Sequence, residues 1–444
     1  MISFASLPQK IKYCIIGAGV HGLSTAYHLA KSLPAGKSPG EEILVIDKTG
    51  VAAGASGIAC GVIRNNYFQP AMSAVMVESV RTWEEHAEQL HYNSVGYLAV
   101  SGPQQADDLR KIAARHAGVG YPHTLVEGRR ESYEYMKQLF PDWKESDAEA
   151  VLHEHKGGFA YSRDAILGLA QLVERQGVSI LGGVEVSGFE IDPADESVRA
   201  IHTSRGTIEV DTVIVAVGPW IQQCWDMLDL PQQIDVRGRD GELYPARDMW
   251  TYWQLQEGEI RLANDSFVLT DGSMPPVMHV DSEESLFDEN GKQITDGAWG
   301  VYFKRDHGNV QGGAVPYEIG VEAEVDPYGP ESPHYTVRDS FVEYWTAGLA
   351  RCMGRFDGCR AKYKHAPSGG IGCFSVDNFP VFDYMRPNVF VIADSNHGFK
   401  MIGVGKEVAA VLRGESSRIL EPFRFSRFVE GKLHPVSNSP FPWA

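Results

Sequence analysis

Hydrophobic and polar positions near the start of the chain alternate in blocks that predict a β-α-β unit. Residues 13–16 form a short apolar run typical of a buried strand, and residues 22–31 have the composition of a helix. A second apolar run, residues 43–46, ends in Asp47. Two buried strands joined by a helix imply a parallel sheet. The chain is therefore predicted to begin with an α/β domain.

Some later segments repeat this strand-helix pattern, and others have the pattern of an antiparallel sheet. Residues 95–100 alternate like a strand of an antiparallel sheet, and residues 232–365 are rich in Trp, Tyr, Asp and Gly with longer loops. The C-terminal part returns to a strand and then a helix, at residues 389–393 and 404–412. Further predicted elements are helices at residues 72–90, 164–176 and 337–353, and strands at residues 178–181, 184–191, 207–210 and 213–217.

A glycine-rich turn between the first strand and the first helix predicts dinucleotide binding. Gly17, Gly19 and Gly22 form a GxGxxG fingerprint that follows a strand and opens a helix. These glycines permit a tight turn, close approach of the backbone to a pyrophosphate, and close packing of helix on strand. The helix N-terminus offers unpaired N–H groups to the phosphates. Asp47 is placed to accept hydrogen bonds from ribose hydroxyls, although this pattern alone does not distinguish NAD from FAD.

These elements predict an α/β fold, α+β overall, with two domains. A discontinuous Rossmann-like dinucleotide-binding domain is expected from residues 1–92, 150–231 and 366–444. A mainly antiparallel β domain that binds the substrate is expected from residues 93–149 and 232–365. A chain of 444 residues is long enough for two or more such cores.

Composition narrows the class of partner. The chain has 40 Lys and Arg against 58 Asp and Glu, a formal charge of −18, which disfavours binding to nucleic acid. Its six cysteines have irregular spacing that indicates neither a disulfide framework nor a metal site. No apolar run is long enough to span a membrane, and the N-terminus lacks a secretion signal. We expect a cytoplasmic protein without metal, and the oligomeric state stays open.

Four segments in chain order resemble the D-amino-acid oxidase superfamily of FAD enzymes, in the sarcosine oxidase and dimethylglycine dehydrogenase branch. They are the fingerprint with Asp47, residues 53–67, residues 213–220, and residues 396–401, which read Asn-His-Gly-Phe-Lys-Met. The resemblance implies FAD as the cofactor and places residues 396–401 at the flavin ring. The cofactor-binding residues expected on this basis are Gly17, Gly19, Gly22, Asp47, Lys48, Ala55, Ser56, Val186, Gly218, Trp220, Gly398, Phe399 and Lys400.

The resemblance also implies a substrate site. Arg64 and Lys400 match the two cations that hold the substrate carboxylate in the family, and His397 joins them as a candidate catalytic residue. A guanidinium offers a planar fork to a carboxylate, and an ammonium adds a movable point charge. A salt bridge to a nearby acid is the plainer explanation for either cation.

The sequence differs from the family at two positions, and each difference leads to a further expectation. Cys373 lies three residues from the position at which some relatives attach FAD, and no histidine follows Gly157 and Gly158, so we expect FAD to bind non-covalently. The lysine that promotes reaction with O₂ in the oxidases falls near Val310, with Lys304 as a possible substitute. Slow reaction with O₂ is expected.

The expected reaction is oxidation of the C–N bond of a secondary or tertiary amine, such as an N-methyl or N-alkyl amino acid. A hydride passes from the carbon next to nitrogen to flavin N5, and water hydrolyses the imine. Trp250, Tyr252 and Trp253 could wall the pocket by cation–π contact, and no general base is identified. Three alternatives stay open: oxidation of a primary D-amino acid or glycine, a flavin-bearing subunit of a larger complex, and an NAD(P)-dependent dehydrogenase.

Overall fold

The computed structural model describes residues 7–262, 266–326, 332, 334, 336–364, 369–394 and 397–439. Among these residues, two eight-stranded sheets carry most of the architecture. We call the sheet that contains Lys10–Ile16 the first sheet and the sheet that contains Glu257–Ile260 the second sheet.

The first sheet has a parallel centre. Lys10–Ile16 pairs in parallel with Ile43–Asp47 on one side and with Gly206–Val215 on the other. The order of its strands is Ser179–Gly182, Ile43–Asp47, Lys10–Ile16, Gly206–Val215, Val198–Thr203 and Val186–Ile191, with Val389–Ala393 and then Val381–Arg386 branching from the end of Gly206–Val215. The parallel centre confirms the predicted Rossmann-like arrangement.

Both faces of the first sheet are covered, which is why residues 13–16 and 43–46 of its central strands are all apolar. Ile15 and Val45 pack into a core formed with helices that include Val20–Lys31. Cys14 and Leu44, on the opposite face, pack into a second core.

The second sheet is mainly antiparallel, as the pattern predicts. Its strands, in order, are Tyr363–Lys364, Glu257–Ile260, Asn309–Ala314, Trp299–Asp306, Val277–Ser282, Tyr97–Ser101, Ala150–Glu154 and His123–Glu127. The contact between Tyr97–Ser101 and Val277–Ser282 is parallel.

Shorter strands of the described residues form four smaller sheets. Trp250–Leu255 pairs with Gly370–Ser375 on one side and Tyr317–Gly320 on the other. The remaining small sheets contain Val62–Ile63, Tyr92–Asn93 and Gly158–Ala160; Gln233–Arg237 and Leu243–Asp248; and Leu286–Phe287 and Gln293–Thr295.

Helices fill the connections. The α-helices of the described residues are Val20–Lys31, Pro39–Glu42, Ala55–Ile58, Pro70–Glu85, Pro103–Gly118, Arg129–Leu139, Ser162–Arg175, Ile221–Met227, Asp339–Cys352, Val404–Leu412 and Arg427–Glu430. Single 3₁₀ turns are Gly218–Trp220, Gly354–Phe356, Cys359–Lys362, Gly398–Lys400 and Glu421–Phe423. None of the helices in this part of the chain has the length and apolar character needed to cross a membrane.

Three sequence predictions differ from the structure. The strands predicted at residues 207–210 and 213–217 are one strand, Gly206–Val215, because the polar Asp211 and Thr212 stay within the ladder to Lys10–Ile16. The helix predicted to end at residue 90 ends at Glu85. Ala150–Glu154, expected with the dinucleotide-binding residues, pairs with Tyr97–Ser101 in the second sheet. This segment is placed by backbone hydrogen bonds to a strand that lies about fifty residues earlier in the sequence. The domain limits stay a prediction.

Candidate active site

The fingerprint turn is built from contacts that only glycine permits. Gly17 has φ +110°, and a Cβ there would lie 2.2 Å from the carbonyl oxygen of Ala216. A Cβ on Gly22 would lie 1.9 Å from the carbonyl oxygen of Gly17, so Gly22 lets the helix pack on the turn. The backbone N–H of Val20, in the first turn of the helix, donates to Ser56 Oγ at 3.2 Å. The turn therefore presents its backbone rather than side chains.

The Asp47 carboxylate completes this turn from the neighbouring strand. Its Oδ2 accepts the backbone N–H of Ala18 at 2.9 Å. Its Oδ1 accepts the N–H groups of Thr49 at 2.8 Å and Gly50 at 2.7 Å. Asp47 thus fixes the geometry of the turn and also lines the adjacent cavity.

A cavity of ≈ 400 Å³, which we call the first cavity, runs from the fingerprint turn to the turn Gly398–Lys400. Most residues predicted to bind FAD lie in its wall, and they come from segments far apart in the sequence. Those residues are Gly17, Gly19, Asp47, Lys48, Ala55, Ser56, Val186, Gly218, Trp220, Gly398 and Phe399. Of the other two, Gly22 packs behind the fingerprint turn, and Lys400 faces a different cavity.

Asp326 joins two predicted residues at one wall of the first cavity. Lys48 Nζ is ion-paired with the Asp326 carboxylate, and the Trp220 indole N–H donates to its Oδ1 at 3.0 Å. Lys48 Nζ also lies 5.0 Å from the centroid of the Trp220 ring. Lys48 therefore already has an anionic partner within the chain. No local pattern in the sequence marks Asp326 for this position.

Cys373 also lines the first cavity. Its thiol is buried, and this burial raises its pKa. A thiol with a raised pKa stays protonated and is a poor nucleophile. Cys373 therefore fills its position as a small, buried, apolar residue.

A second cavity, of ≈ 130 Å³, adjoins the first. Ala59, Leu255 and Phe399 belong to the walls of both. The polar side chains in the wall of this second cavity belong to Arg64, Tyr97, Gln256, Glu257, His279, Tyr302 and Lys400. The structure therefore brings Arg64 and Lys400, which are 336 positions apart in the sequence, to one small space beside the first cavity.

Most N–H groups of the Arg64 guanidinium remain available to a ligand in the second cavity. Its Nη1 donates to the carbonyl oxygen of Asn66 at 2.8 Å, and its guanidinium lies 4.8 Å from the ring centroid of Tyr67 and 5.5 Å from that of Tyr97. Among the described residues, no carboxylate oxygen lies within 4.0 Å of its nitrogen atoms. The salt bridge considered as the plainer explanation is therefore not formed in the described part of the chain.

The backbone next to Arg64 is held by the second sheet. The N–H of Asn65 donates to Glu154 Oε2 at 2.8 Å, and the Asn65 carbonyl oxygen lies 3.1 Å from His116 Nε2. Burial raises the pKa of Glu154 to about 8. These contacts fix the direction of the Arg64 side chain. Sequence analysis did not identify Glu154, since an apolar strand with one acid is not diagnostic.

Lys400 is positioned by a tryptophan of the helix Pro70–Glu85. The Trp83 indole N–H donates to the Lys400 carbonyl oxygen at 3.0 Å, and the rings of Trp83 and Phe399 lie 5.2 Å apart. Burial, and then the charge of Arg64, lower the pKa of Lys400 to about 7. No carboxylate oxygen of a described residue lies within 4.0 Å of Lys400 Nζ. Two unpaired cations in one cavity favour an anionic ligand.

The His397 side chain lies outside both cavities. It is fully buried, its Nδ1 is 2.9 Å from the Tyr67 hydroxyl, and its ring stacks on Phe379 at 6.1 Å. Burial lowers the pKa of His397 well below its ordinary value, so the imidazole is neutral. This placement suits a residue that orders the turn Gly398–Lys400 rather than one that contacts a substrate. Asn396, which precedes it in the motif, lies outside the described residues.

Glu257 brings an acid to the second cavity that sequence analysis did not identify. The Tyr302 hydroxyl donates to Glu257 Oε1 at 2.8 Å, while Oε2 is buried and has no hydrogen-bond partner among the described residues. Burial raises the pKa of Glu257 to about 7. A Glu-Gly-Glu sequence in a short strand gave no signal that one of its acids faces a cavity.

The structure places two other groups of predicted residues outside both cavity walls. Val310 is buried in the second sheet, and Lys304 Nζ is ion-paired with Asp306 at 2.9 Å and lines neither cavity. Trp250 and Tyr252 are buried in the core of the first sheet and, like Trp253, are absent from both walls. The pocket is therefore walled by Tyr97 and Tyr302 instead of these three aromatic residues.

Comparison with known proteins agrees with this arrangement. The family model described as FAD dependent oxidoreductase (DAO) matches residues 12–411. Peroxisomal sarcosine oxidase of Homo sapiens is 26% identical over 215 residues, which is 47% of this chain and 50% of that protein. Sarcosine oxidase subunit beta of Arthrobacter sp is 26% identical over 213 residues, 46% of this chain and 49% of that one. Both matches thus span about half of the relative's length.

A solved structure shows the same fold over nearly the whole chain. L-proline dehydrogenase from P. horikoshii superposes with a TM-score of 0.75 at 20% identity, covering 96% of this chain and 100% of that chain. This likeness extends over the strands of both sheets. At 20% identity, this structural likeness shows the fold and does not indicate the substrate.

Proposed function

Because the chain belongs to the DAO family of FAD-dependent oxidoreductases, we propose that it oxidises the C–N bond of a small amine that carries a carboxylate. The substrate class that fits is a secondary or tertiary amine such as an N-methyl or N-alkyl amino acid. The observation that carries the proposal is the pair Arg64 and Lys400, which face the second cavity with no carboxylate within 4.0 Å among the described residues.

The residues around the first cavity fit FAD. A Cβ at Gly17 or Gly22 would clash with backbone, so the fingerprint keeps the smooth surface that a pyrophosphate needs. Asp47 and Val186 line the adenosine end, and Gly398 and Phe399 line the end beside the second cavity. Bound FAD supplies the two-electron acceptor for the oxidation. We propose that it binds without a covalent bond, since the Cys373 thiol stays protonated.

In this proposal the residues of the second cavity orient the substrate. Arg64 receives the carboxylate on its planar fork and Lys400 adds a second positive charge. A substrate held at these two groups has its C–N bond near Phe399, which belongs to the wall shared with the first cavity. Tyr97 and Tyr302 also line this cavity and exclude water from it. Water then hydrolyses the released imine to a carbonyl compound and a shorter amine.

Substitution of the two cations tests the proposal. Arg64→Met and Lys400→Met should each lower kcat/KM for N-methylglycine by about two to three orders of magnitude, since truncating one partner of a buried charge pair costs about 3–5 kcal/mol. The double variant should lose less than the sum, because both cations act on one anion. Flavin bleaching without O₂ measures the rate.

Lys364→Met is a matched control, because Lys364 is ion-paired with Glu259 at 2.8 Å and lines neither cavity. It should bleach its flavin like the unmodified protein. If both cation variants also react at the unmodified rate, the carboxylate binds elsewhere and the amino-acid assignment is wrong.

A panel of substrates separates the alternatives. N-methylglycine, L-proline, glycine and D-alanine differ in nitrogen substitution, and fastest bleaching by glycine or D-alanine would move the assignment to primary amines. A chain that binds FAD but is bleached by none of them would favour a flavin-bearing subunit of a larger complex, which its mass in a cell extract would reveal.

A further inference from the structure

We infer that Glu257 binds the substrate nitrogen in the second cavity and removes its proton before the C–N bond is oxidised. The inference rests on the proposed function and names the group that completes the site. It stands on the position of the Glu257 carboxyl group, on an unpartnered oxygen atom, and on the distribution of charge around the cavity.

The Glu257 carboxyl group is fixed at one oxygen and free at the other. Tyr302 donates to Oε1 at 2.8 Å, and a Cβ added to Gly369 would lie 2.5 Å from Glu257 Cδ, so the carboxyl group has little room to move. Oε2 is buried without a hydrogen-bond partner in the described part of the chain. Buried acceptors are nearly always paired in folded proteins. A hydrogen-bond donor on a ligand is the partner that the second cavity can supply.

Neither of the neighbouring cations, Lys304 and Lys400, is ion-paired with the Glu257 carboxylate. Lys304 is ion-paired with Asp306 at 2.9 Å, and Lys400 Nζ lies more than 4.0 Å from every carboxylate oxygen of the described residues. Glu259, two residues along the same strand, is paired with Lys364 instead. Glu257 therefore differs from its neighbour in lining the cavity, in having an oxygen without a hydrogen-bond partner among the described residues, and in having no cation bound to it.

The second cavity thus has the charge pattern of an amino-acid zwitterion. Arg64 and Lys400 match the carboxylate, and Glu257 matches the ammonium. The proton on the substrate nitrogen passes to Glu257 Oε2, which becomes a neutral carboxylic acid, and the amine keeps the electron pair of the broken N–H bond. The lone pair would then be available for oxidation at the adjacent carbon, for which bound FAD would supply the two-electron acceptor. A protonated amine has no lone pair to give.

The surroundings of Glu257 tune it for this step. Burial raises its pKa, while the hydrogen bond from Tyr302, the charges of Lys304 and Lys400 and the adjacent backbone N–H of Cys60 lower it, and the result is about 7. Cys60 faces it from the neighbouring loop, and burial raises the pKa of that thiol, so Cys60 stays neutral. A base works best when its pKa lies near the working pH.

The test compares Glu257→Gln with Glu259→Gln, the same change two residues away. Reduction of bound flavin by N-methylglycine is followed without O₂ between about pH 6 and about pH 10, a range that ends near the pKa of a free amine. Glu257→Gln should be slower by about 100-fold at neutral pH, a typical contribution of a general base. It should recover towards the unmodified rate at the alkaline end, where solution supplies the neutral amine. Glu259→Gln should follow the unmodified protein throughout.

Binding of butanoate, which has the carboxylate but no nitrogen, gives a second readout. It should perturb the flavin spectrum of Glu257→Gln and of the unmodified protein at similar concentrations. Equal rates for Glu257→Gln at every pH, a loss without alkaline recovery, or a matching loss of butanoate binding would each overturn the inference. These results leave the proposed function intact, whereas failure of every N-alkyl amino acid to bleach the unmodified protein would overturn the function itself.

Tyr302→Phe keeps the inference testable if Glu257→Gln does not fold. Loss of the hydrogen bond to Oε1 removes stabilisation of the carboxylate, so the acidic limb of the kcat/KM profile should move to higher pH. An acidic limb that stays in place would show that another group provides the base.

Discussion

Single residues in this protein show how burial is balanced against charge. Glu154 is buried under the Arg64 segment, where burial raises its pKa to about 8. A raised pKa means that the folded state holds its proton above the pH at which the unfolded chain releases it, near pH 4.3. The stability that this proton provides is complete below that pH and is lost as the pH rises through about 8.

Glu154→Gln should therefore stabilise the protein in alkali. The amide remains neutral and still accepts the N–H of Asn65, so at about pH 9 the variant should gain on the order of 1–3 kcal/mol over the unmodified protein. At about pH 5 the two should melt at nearly the same temperature. Thermal melting at both values measures the effect, with the exposed Glu88→Gln as the control. A variant that melts lower at both values would show that the carboxyl group itself is needed.

At the scale of elements, Gly17 of the fingerprint turn brings two segments of the chain into close contact. A methyl group on Gly17 would meet the carbonyl oxygen of Ala216 at 2.2 Å, and its φ of +110° disfavours any side chain. The strand Lys10–Ile16 and the end of Gly206–Val215 would have to separate. The phosphate-binding backbone would then be displaced.

Gly17→Ala should reduce bound FAD by at least about tenfold, because a positive φ costs about 1–2 kcal/mol before the clash is counted. Gly36→Ala is the matched control, since Gly36 has φ +88° and open space around its Cβ position. The control should melt slightly lower and keep its flavin. Absorbance of bound flavin per chain is the measurement, and full flavin content in Gly17→Ala would contradict the role of this contact.

Across the whole molecule, the second cavity is lined by strands of the second sheet and by Phe399 and Lys400, which follow the strand Val389–Ala393 of the first sheet. Lys400 follows a strand of the first sheet, Glu257 begins a strand of the second, and Arg64 is held by Asn65 against Glu154. Neither sheet alone forms the site. Unfolding that separates the sheets should open the second cavity.

This arrangement predicts that acid or heat releases intact FAD. The purified protein should be yellow, and after precipitation the flavin should remain in the supernatant, because the Cys373 thiol in the wall of the first cavity stays protonated. Absorbance of supernatant and pellet gives the answer. Flavin retained by the pellet would refute non-covalent binding and direct attention to Cys373, which lines the first cavity.

Sequence alone determined those features that depend on neighbouring residues. The β-α-β unit, the three fingerprint glycines and Asp47 follow from short-range periodicity and turn chemistry, and the helix Val404–Leu412 begins and ends where the pattern predicts. The resemblance in four ordered segments correctly indicated the FAD family. It also named Arg64 and Lys400, which the structure brings to one cavity.

Tertiary structure alone decided the features that depend on distant strands. Ala150–Glu154 entered the second sheet because its backbone pairs with Tyr97–Ser101, which an apolar pattern does not specify. The His397 imidazole is hydrogen-bonded to the Tyr67 hydroxyl, and Lys48 is ion-paired with Asp326. Glu257 and Glu259 look alike in the sequence, yet one faces the cavity beside Tyr302 and the other a lysine. Which neighbour a side chain meets is set by packing across the chain, and that packing gives Glu257 a place in the cavity wall and Glu259 a lysine partner.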